Sequence, residues 1–154
     1  MPTLKFHRQN AALERAIERV LDAVKPWSGE GFRFTDIEFA HPEDLMSGEG
    51  SKKFGGRWNP PGLAALYYSM DPQTALLEAF SQRVFYGLRI EIDTPKMVFG
   101  VEVDLDFVLD LTDGALRNRL KISHRTIVKN GWKAEQFSGT EGITQAIGRL
   151  AYSK

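Results

Sequence analysis

Apolar positions recur at helical spacing near the start of this 154-residue chain. Leu13, Ile17, Val20, Leu21 and Val24 fall three or four residues apart, Asn10 can cap the turn before them, and Pro26 ends the run. The pattern predicts an N-terminal helix. Its outer face pairs Glu14 with Glu18 and Arg15 with Arg19, like charges that add no stability. It offers no catalytic group and reads as a packing or partner helix. Trp27-Ser28-Gly29-Glu30-Gly31 predicts a turn-rich connection, and Phe32-Arg33-Phe34-Thr35 alternates in the manner of a strand. From Ala40 to Gly62 the periodicity stops, which predicts a loop, either functional or simply solvated.

Beyond the loop, Ala64 to Ser69 predicts a short strand. Asp71 and Pro72 then supply an N-cap acceptor and a first helical residue with no N–H to waste. Tyr86 to Ile92 reads as strand or loop. Strands are predicted at Met97 to Val103 and at Phe107 to Leu111, the latter ended by Thr112-Asp113-Gly114. Ser123 can cap a short helix running to Lys129, with Asn130-Gly131 as its stop. Thr140 can cap a last helix in which Ile143, Ile147, Leu150 and Ala151 share one face. The expectation is a mixed α/β (α+β) fold.

Composition removes several alternatives. The length suits one domain with a real core. Twenty basic residues balance twenty acidic ones, so no global field draws nucleic acid or an anionic membrane. No apolar run approaches a membrane span, and the charged first helix is not a signal peptide. Cysteine is absent, which rules out disulfides, thiolate zinc and a cysteine nucleophile and fits a reducing cytoplasm. His7, His41 and His124 lie far apart without metal-ligand spacing, so no metal is expected. Neither a G-x-S-x-G elbow nor a Walker or dinucleotide glycine fingerprint is present.

The informative stretch is Gly55-Gly56-Arg57-Trp58-Asn59-Pro60-Pro61-Gly62, followed by Leu66-Tyr67-Tyr68-Ser69 and the helix carrying Glu78. Glycines let the backbone approach a ligand closely or take positive φ. Arg57 can fork onto phosphate or carboxylate, and Trp58 offers a flat face. Ala75, Leu76, Leu77, Ala79 and Phe80 surround Glu78, so its carboxylate is expected to be partly desolvated. Two bland readings stand beside this one: an exposed helix glutamate, or a structural ion pair with Arg57. Arg33 on an edge strand likewise reads as a solvent-facing arginine. Two arginines, a tyrosine and a lone carboxylate suit cleavage of a glycosidic bond to a cationic leaving group such as the nicotinamide of NAD. No general acid is needed there, and one carboxylate can stabilise an oxocarbenium-like transition state. An ordinary glycosidase uses two carboxylates.

The same motif, with Ala75-Leu76-Leu77-Glu78, Val108-Leu109-Asp110-Leu111-Thr112 and Thr144-Gln145-Ala146-Ile147-Gly148-Arg149, resembles the RES domain family over about Gly31 to Lys154. The resemblance implies residues 1–30 as a helical extension packed on a catalytic domain at 31–154 with an ADP-ribosyltransferase-like core. It implies a toxin of a toxin–antitoxin pair that degrades NAD by hydrolysis or phosphorolysis. Transfer of ADP-ribose to a protein, or a non-catalytic remnant that only binds the antitoxin, are the alternatives. By position, Glu78 would be the catalytic carboxylate. Arg33 and Arg57 would hold the NAD phosphates and ribose, Tyr67 would lie on the nicotinamide side, and Gly56 and Trp58 would contribute to binding. The implied partner is an Xre-type helix-turn-helix antitoxin covering the active site, with room for a homodimer within that complex. Arg33 is followed by Phe34 at a position where the resemblance would suit an aromatic residue with a hydroxyl, so no hydrogen bond is expected from it. The serine for which the family is partly named sits in a final Gly-rich strand, which is expected to be missing here; Ser153 follows the last helix too closely to take its role.

Overall fold

The computed structural model describes residues 4–85 and 96–154, so the segment expected at Tyr86 to Ile92 lies outside the described residues. Eight α-helices and two strands follow in chain order within them. These are α1 (Asn10–Glu18), β1 (Lys25–Asp36), α2 (Pro42–Ser47), α3 (Glu49–Phe54), α4 (Pro72–Phe85), β2 (Lys96–Val108), α5 (Gly114–Leu120), α6 (His124–Val128), α7 (Trp132–Phe137) and α8 (Ile143–Tyr152). The fold is mixed α/β. It divides into two compact units: 1–25 with 48–65 and 107–154, and 26–47 with 66–106.

The first unit is helical. Leu13, Ala16 and Ile17 of α1, with Val20 just beyond it, face Leu116 and Leu120 of α5 and Ala146, Ile147 and Leu150 of α8 in one buried cluster. Each fully buried aliphatic side chain here contributes about 1.5–3 kcal/mol. The N-terminal helix therefore packs as expected, but its start differs. Gln9 is the N-cap and makes no side-chain cap bond. Asn10 instead accepts from Arg149 Nη2. The helix also stops at Glu18, and Leu21–Ala23 forms a separate 3₁₀ turn.

Ser123 caps α6 as expected, its Oγ accepting from Thr126 N at 3.0 Å. The last helix starts later than Thr140, which pairs with Lys5 in a parallel bridge. Gly142 is its N-cap, with the amide donating to Gln145 Oε1 at 2.9 Å. The 40–62 stretch is not plain loop either. Proline with Glu43 and Asp44 opens α2, and a Lys52–Glu49 pair at 2.9 Å supports α3. These helices are single turns or little more, too short to leave a periodic signature.

The second unit carries the sheet, two antiparallel strands β1 and β2 apart from their ends. β1 runs straight through the glycine-rich 27–31 stretch that predicted a turn, because the glycines meet large neighbours instead of bending. A Cβ on Gly31 would stand 3.0 Å from Tyr68 Cβ, and one on Gly100 3.2 Å from Phe32 Cε1. Tyr68 and Phe99 meet edge to face at 6.5 Å. An ion pair of Lys96 with Asp36 joins the strand ends. The two strands predicted between Met97 and Leu111 are one, ending at Val108, because Leu109 and Leu111 turn to pack on the helical core of the first unit. Of the predicted Ala64–Ser69 strand, only an antiparallel bridge of Ser69 with Phe32 forms.

Candidate functional site

Asp71 starts the helix that bears the carboxylate. Its Oδ1 accepts from Thr74 N at 2.8 Å and its Oδ2 from the Thr74 hydroxyl at 2.7 Å. Those bonds hold the Asp71 carboxyl below its ordinary value, the hydroxyl contributing most. Glu78 follows two turns on. It is exposed, and the desolvation expected from its apolar neighbours does not occur. The reason is angular. At 100° per residue, Ala75 and Ala79 point inward and Leu76 and Phe80 lie beside them, while Leu77 and Glu78 fall on the two outer flanks. Leu77 is itself 68% exposed.

Orientation comes from Ser69, which the sequence did not single out. Its Oγ donates to Glu78 Oε2 at 3.1 Å, and the residue is buried. Ser69 is fixed in turn by reciprocal 2.8 Å backbone bonds with Phe32. Arg33, next along β1, is half-buried and its Nη1 reaches Leu45 O at 3.4 Å. Tyr67 is half-buried two residues before Ser69. Arg33, Tyr67 and Glu78 thus belong to one unit, organised about the Phe32–Ser69 bridge.

Gly56, Arg57 and Trp58 belong to the other unit. Arg57 is exposed and its Nη1 donates to Ile127 O at 3.2 Å, while Trp58 packs against the helical core. The loop around them is held from inside. Asn59, fully buried, donates from Nδ2 to Ser51 O at 2.9 Å and Leu63 O at 2.6 Å. Gln145, also fully buried, donates from Nε2 to Gly56 O at 3.0 Å and Asn59 O at 3.3 Å. Gly55 takes φ +73°, and a Cβ there would stand 2.6 Å from Gln136 Oε1. The close approach expected of the glycine pair therefore serves internal packing at Gly55. Two of the motif's segments, 55–62 and 144–149, bind each other.

Asn59, Gln145 and Gly148 escaped sequence reasoning, although a polar pair Thr144-Gln145 inside an apolar helix run was a visible signal. So did Glu141, 1% exposed and gripped by Arg149 through two bonds of 2.6 and 2.9 Å. That carboxylate raises the Arg149 pKa above its ordinary value.

A groove of about 590 Å³ on the first unit is lined by Arg8, Arg15, Arg19, Arg119 and Lys121 among others. None of the candidate residues reaches it, and Arg119 is already paired with Asp22 at 2.6 Å. Among the described residues no helix is long and apolar enough to cross a membrane, and no three His, Asp or Glu side chains cluster to hold a metal.

Comparison with known proteins matches residues 32–154 to the RES domain model. Proteins named NAD(+) phosphorylase MbcT from Mycobacterium bovis and Mycobacterium tuberculosis are 30% identical over 133 residues, which covers 83% of this chain and 69% of theirs. No solved structure matches significantly.

Proposed function

The chain belongs to the RES domain family, and on that premise we propose that it is a toxin enzyme that consumes NAD by breaking the nicotinamide–ribose bond. The observation that carries the reading is the exposed Glu78 carboxylate, oriented by Ser69 at 3.1 Å, within the span the family model matches.

Nicotinamide leaves NAD as a neutral ring, taking the electron pair of the C1′–N bond, so the protein supplies no proton. Glu78 stabilises the positive charge that develops on the ribose. Arg33 and Arg57 bind the pyrophosphate and ribose, Tyr67 stacks on the nicotinamide side, and Gly56 and Trp58 border the ligand. The role of Arg57 rests on the family motif alone. The relatives' name favours inorganic phosphate as acceptor. A phosphate oxygen then forms the new bond to C1′, giving nicotinamide and a phosphorylated ADP-ribose. We further take 31–154 as an ADP-ribosyltransferase-like catalytic domain with 1–30 as its extension. The partner is an Xre-type antitoxin that covers the site in the cytoplasm, with a homodimer inside that complex.

NAD loss, measured with and without phosphate, tests the reading. We expect phosphate-dependent release of nicotinamide, falling about 10²–10³-fold in Glu78→Gln. Undiminished turnover in that variant removes the assignment of Glu78. Free ADP-ribose as product makes water the acceptor, and label on macromolecules indicates transfer to protein. An antitoxin that binds while NAD does not makes the protein a non-catalytic remnant.

A further inference from the structure

Arg57 is the only exposed side chain in the run Gly56-Arg57-Trp58-Asn59-Pro60, whose other members are half-buried or buried. The surroundings of that run are unusually costly. Two carboxamides are fully buried beside it, and a carboxamide buried without partners costs about 1–3 kcal/mol. Both are satisfied: Asn59 by Ser51 O and Leu63 O, and Gln145 largely by the run itself. Gln145 Nε2 holds Gly56 O at 3.0 Å, and Gly56 N closes onto Asn59 O at 2.9 Å. Gln145 also donates to Gln136 Oε1 at 2.6 Å, while Gln136 Nε2 donates to Phe54 O at 2.9 Å. The two glutamines, from α8 and α7, therefore grip the backbone on either side of Gly55. From below, Gly148 lets α8 run directly under Trp58 O. Gly56 N anchors the Gly55–Gly56 peptide and Gly56 O the Gly56–Arg57 peptide, so the backbone leading into Arg57 is held on both sides of Gly56. The guanidinium faces out above this clip, its Nη1 donating to Ile127 O at 3.2 Å.

We infer that Gln136 and Gln145 are positioning residues, a clip that sets the Arg57 guanidinium in one place so that an anionic ligand meets it without a loop-ordering cost. This deepens the proposed NAD reading and rests on it. Misplacement of a binding group by about 1 Å costs up to about 10²-fold where geometry matters. An arginine that grips the phosphates in ground and transition state alike acts mainly through KM.

The test is a double-mutant cycle on the full chain, with KM and kcat for NAD, NAD binding by calorimetry and thermal unfolding recorded together. Arg57→Ala, Gln145→Met, Gln136→Leu and each glutamine variant combined with Arg57→Ala are compared. We expect Gln145→Met and Gln136→Leu each to raise KM about tenfold at nearly unchanged kcat, and to have no further effect once Arg57 is alanine. Gln136→Leu leaves Gln145 in place and carries the test if Gln145→Met does not fold. Folded glutamine variants with wild-type KM, or with effects that add fully to Arg57→Ala, overturn the clip while leaving the NAD reading standing. A wild-type chain that neither binds nor consumes NAD fails the NAD reading and the clip with it. A wild-type chain that does so equally well as Arg57→Ala overturns the assignment of Arg57 and the clip together, but not the role of Glu78.

Discussion

Replacing Gly148 by alanine tests the packing beneath the Arg57 loop most directly. An added Cβ would stand 1.8 Å from Trp58 O and 2.9 Å from Trp58 C. A carbon and a carbonyl oxygen rest at about 3.3–3.6 Å, so the two backbones must separate by more than an ångström. The helix is not free to withdraw, since Ala146, Ile147 and Leu150 on it are fixed in the core. The loop must move, stretching the bonds from Gln145 Nε2 to Gly56 O and Asn59 O. Overpacking costs about 1–3 kcal/mol, and each buried hydrogen bond lost adds about 1 kcal/mol. Alanine's better helix propensity returns about 1 kcal/mol. The net is a destabilisation of about 2–4 kcal/mol, or a melting temperature lower by about 5–15 °C for a chain of this size. Thermal unfolding by circular dichroism reads it, with the KM for NAD as a second measure. Gly50→Ala is the control, because nothing lies within 4 Å of a Cβ there and the residue sits in α3. Its melting temperature should stay level or rise. A Gly148→Ala protein that melts with the wild type and keeps its KM would refute the contact.

Arg149→Met strands the buried Glu141 carboxylate, and urea unfolding should show a loss of about 3–5 kcal/mol; adding Glu141→Gln should recover part of it. A loss below about 1 kcal/mol would show the pair to be dispensable. Asp71 has a folded pKa below its ordinary 3.8, so its stabilising bonds to Thr74 are fully present above that value and lost as pH falls through the lower folded one. Wild type should therefore exceed Asp71→Asn in melting temperature near neutrality, with the gap closing in acid. A gap that stays constant down to strongly acid pH would remove Asp71's titration as the cause.

Local rules carried the sequence reading where one residue and its immediate neighbours decide the outcome. The Asp71-Pro72 helix start, the Ser123 cap and the shared face of Ile147 and Leu150 are all of that kind. The reading went astray where a distant contact overrode a local preference. Gly29 and Gly31 predict a turn until Trp27 is seen against the first and Tyr68 against the second along an extended strand. Glu78 illustrates the same limit within one helix. Its neighbours in sequence are apolar, yet which side of α4 faces inward depends on what the helix packs against. Asn59 and Gln145 were illegible for a different reason, since their partners are backbone carbonyls, which any sequence provides.

The order of residues alone was enough to establish the family and the absence of cysteine from this chain, and to single out the acidic residue at the head of the functional proposal, because these depend on which side chains exist and how they are spaced. Tertiary structure decided that the acid is open to solvent and steadied by Ser69, and that the arginine-bearing loop is gripped from behind by two glutamines. Burial and hydrogen-bond partnership are properties of three-dimensional neighbours, and Gln145 and the Gly56 carbonyl it holds lie 89 positions apart along the chain.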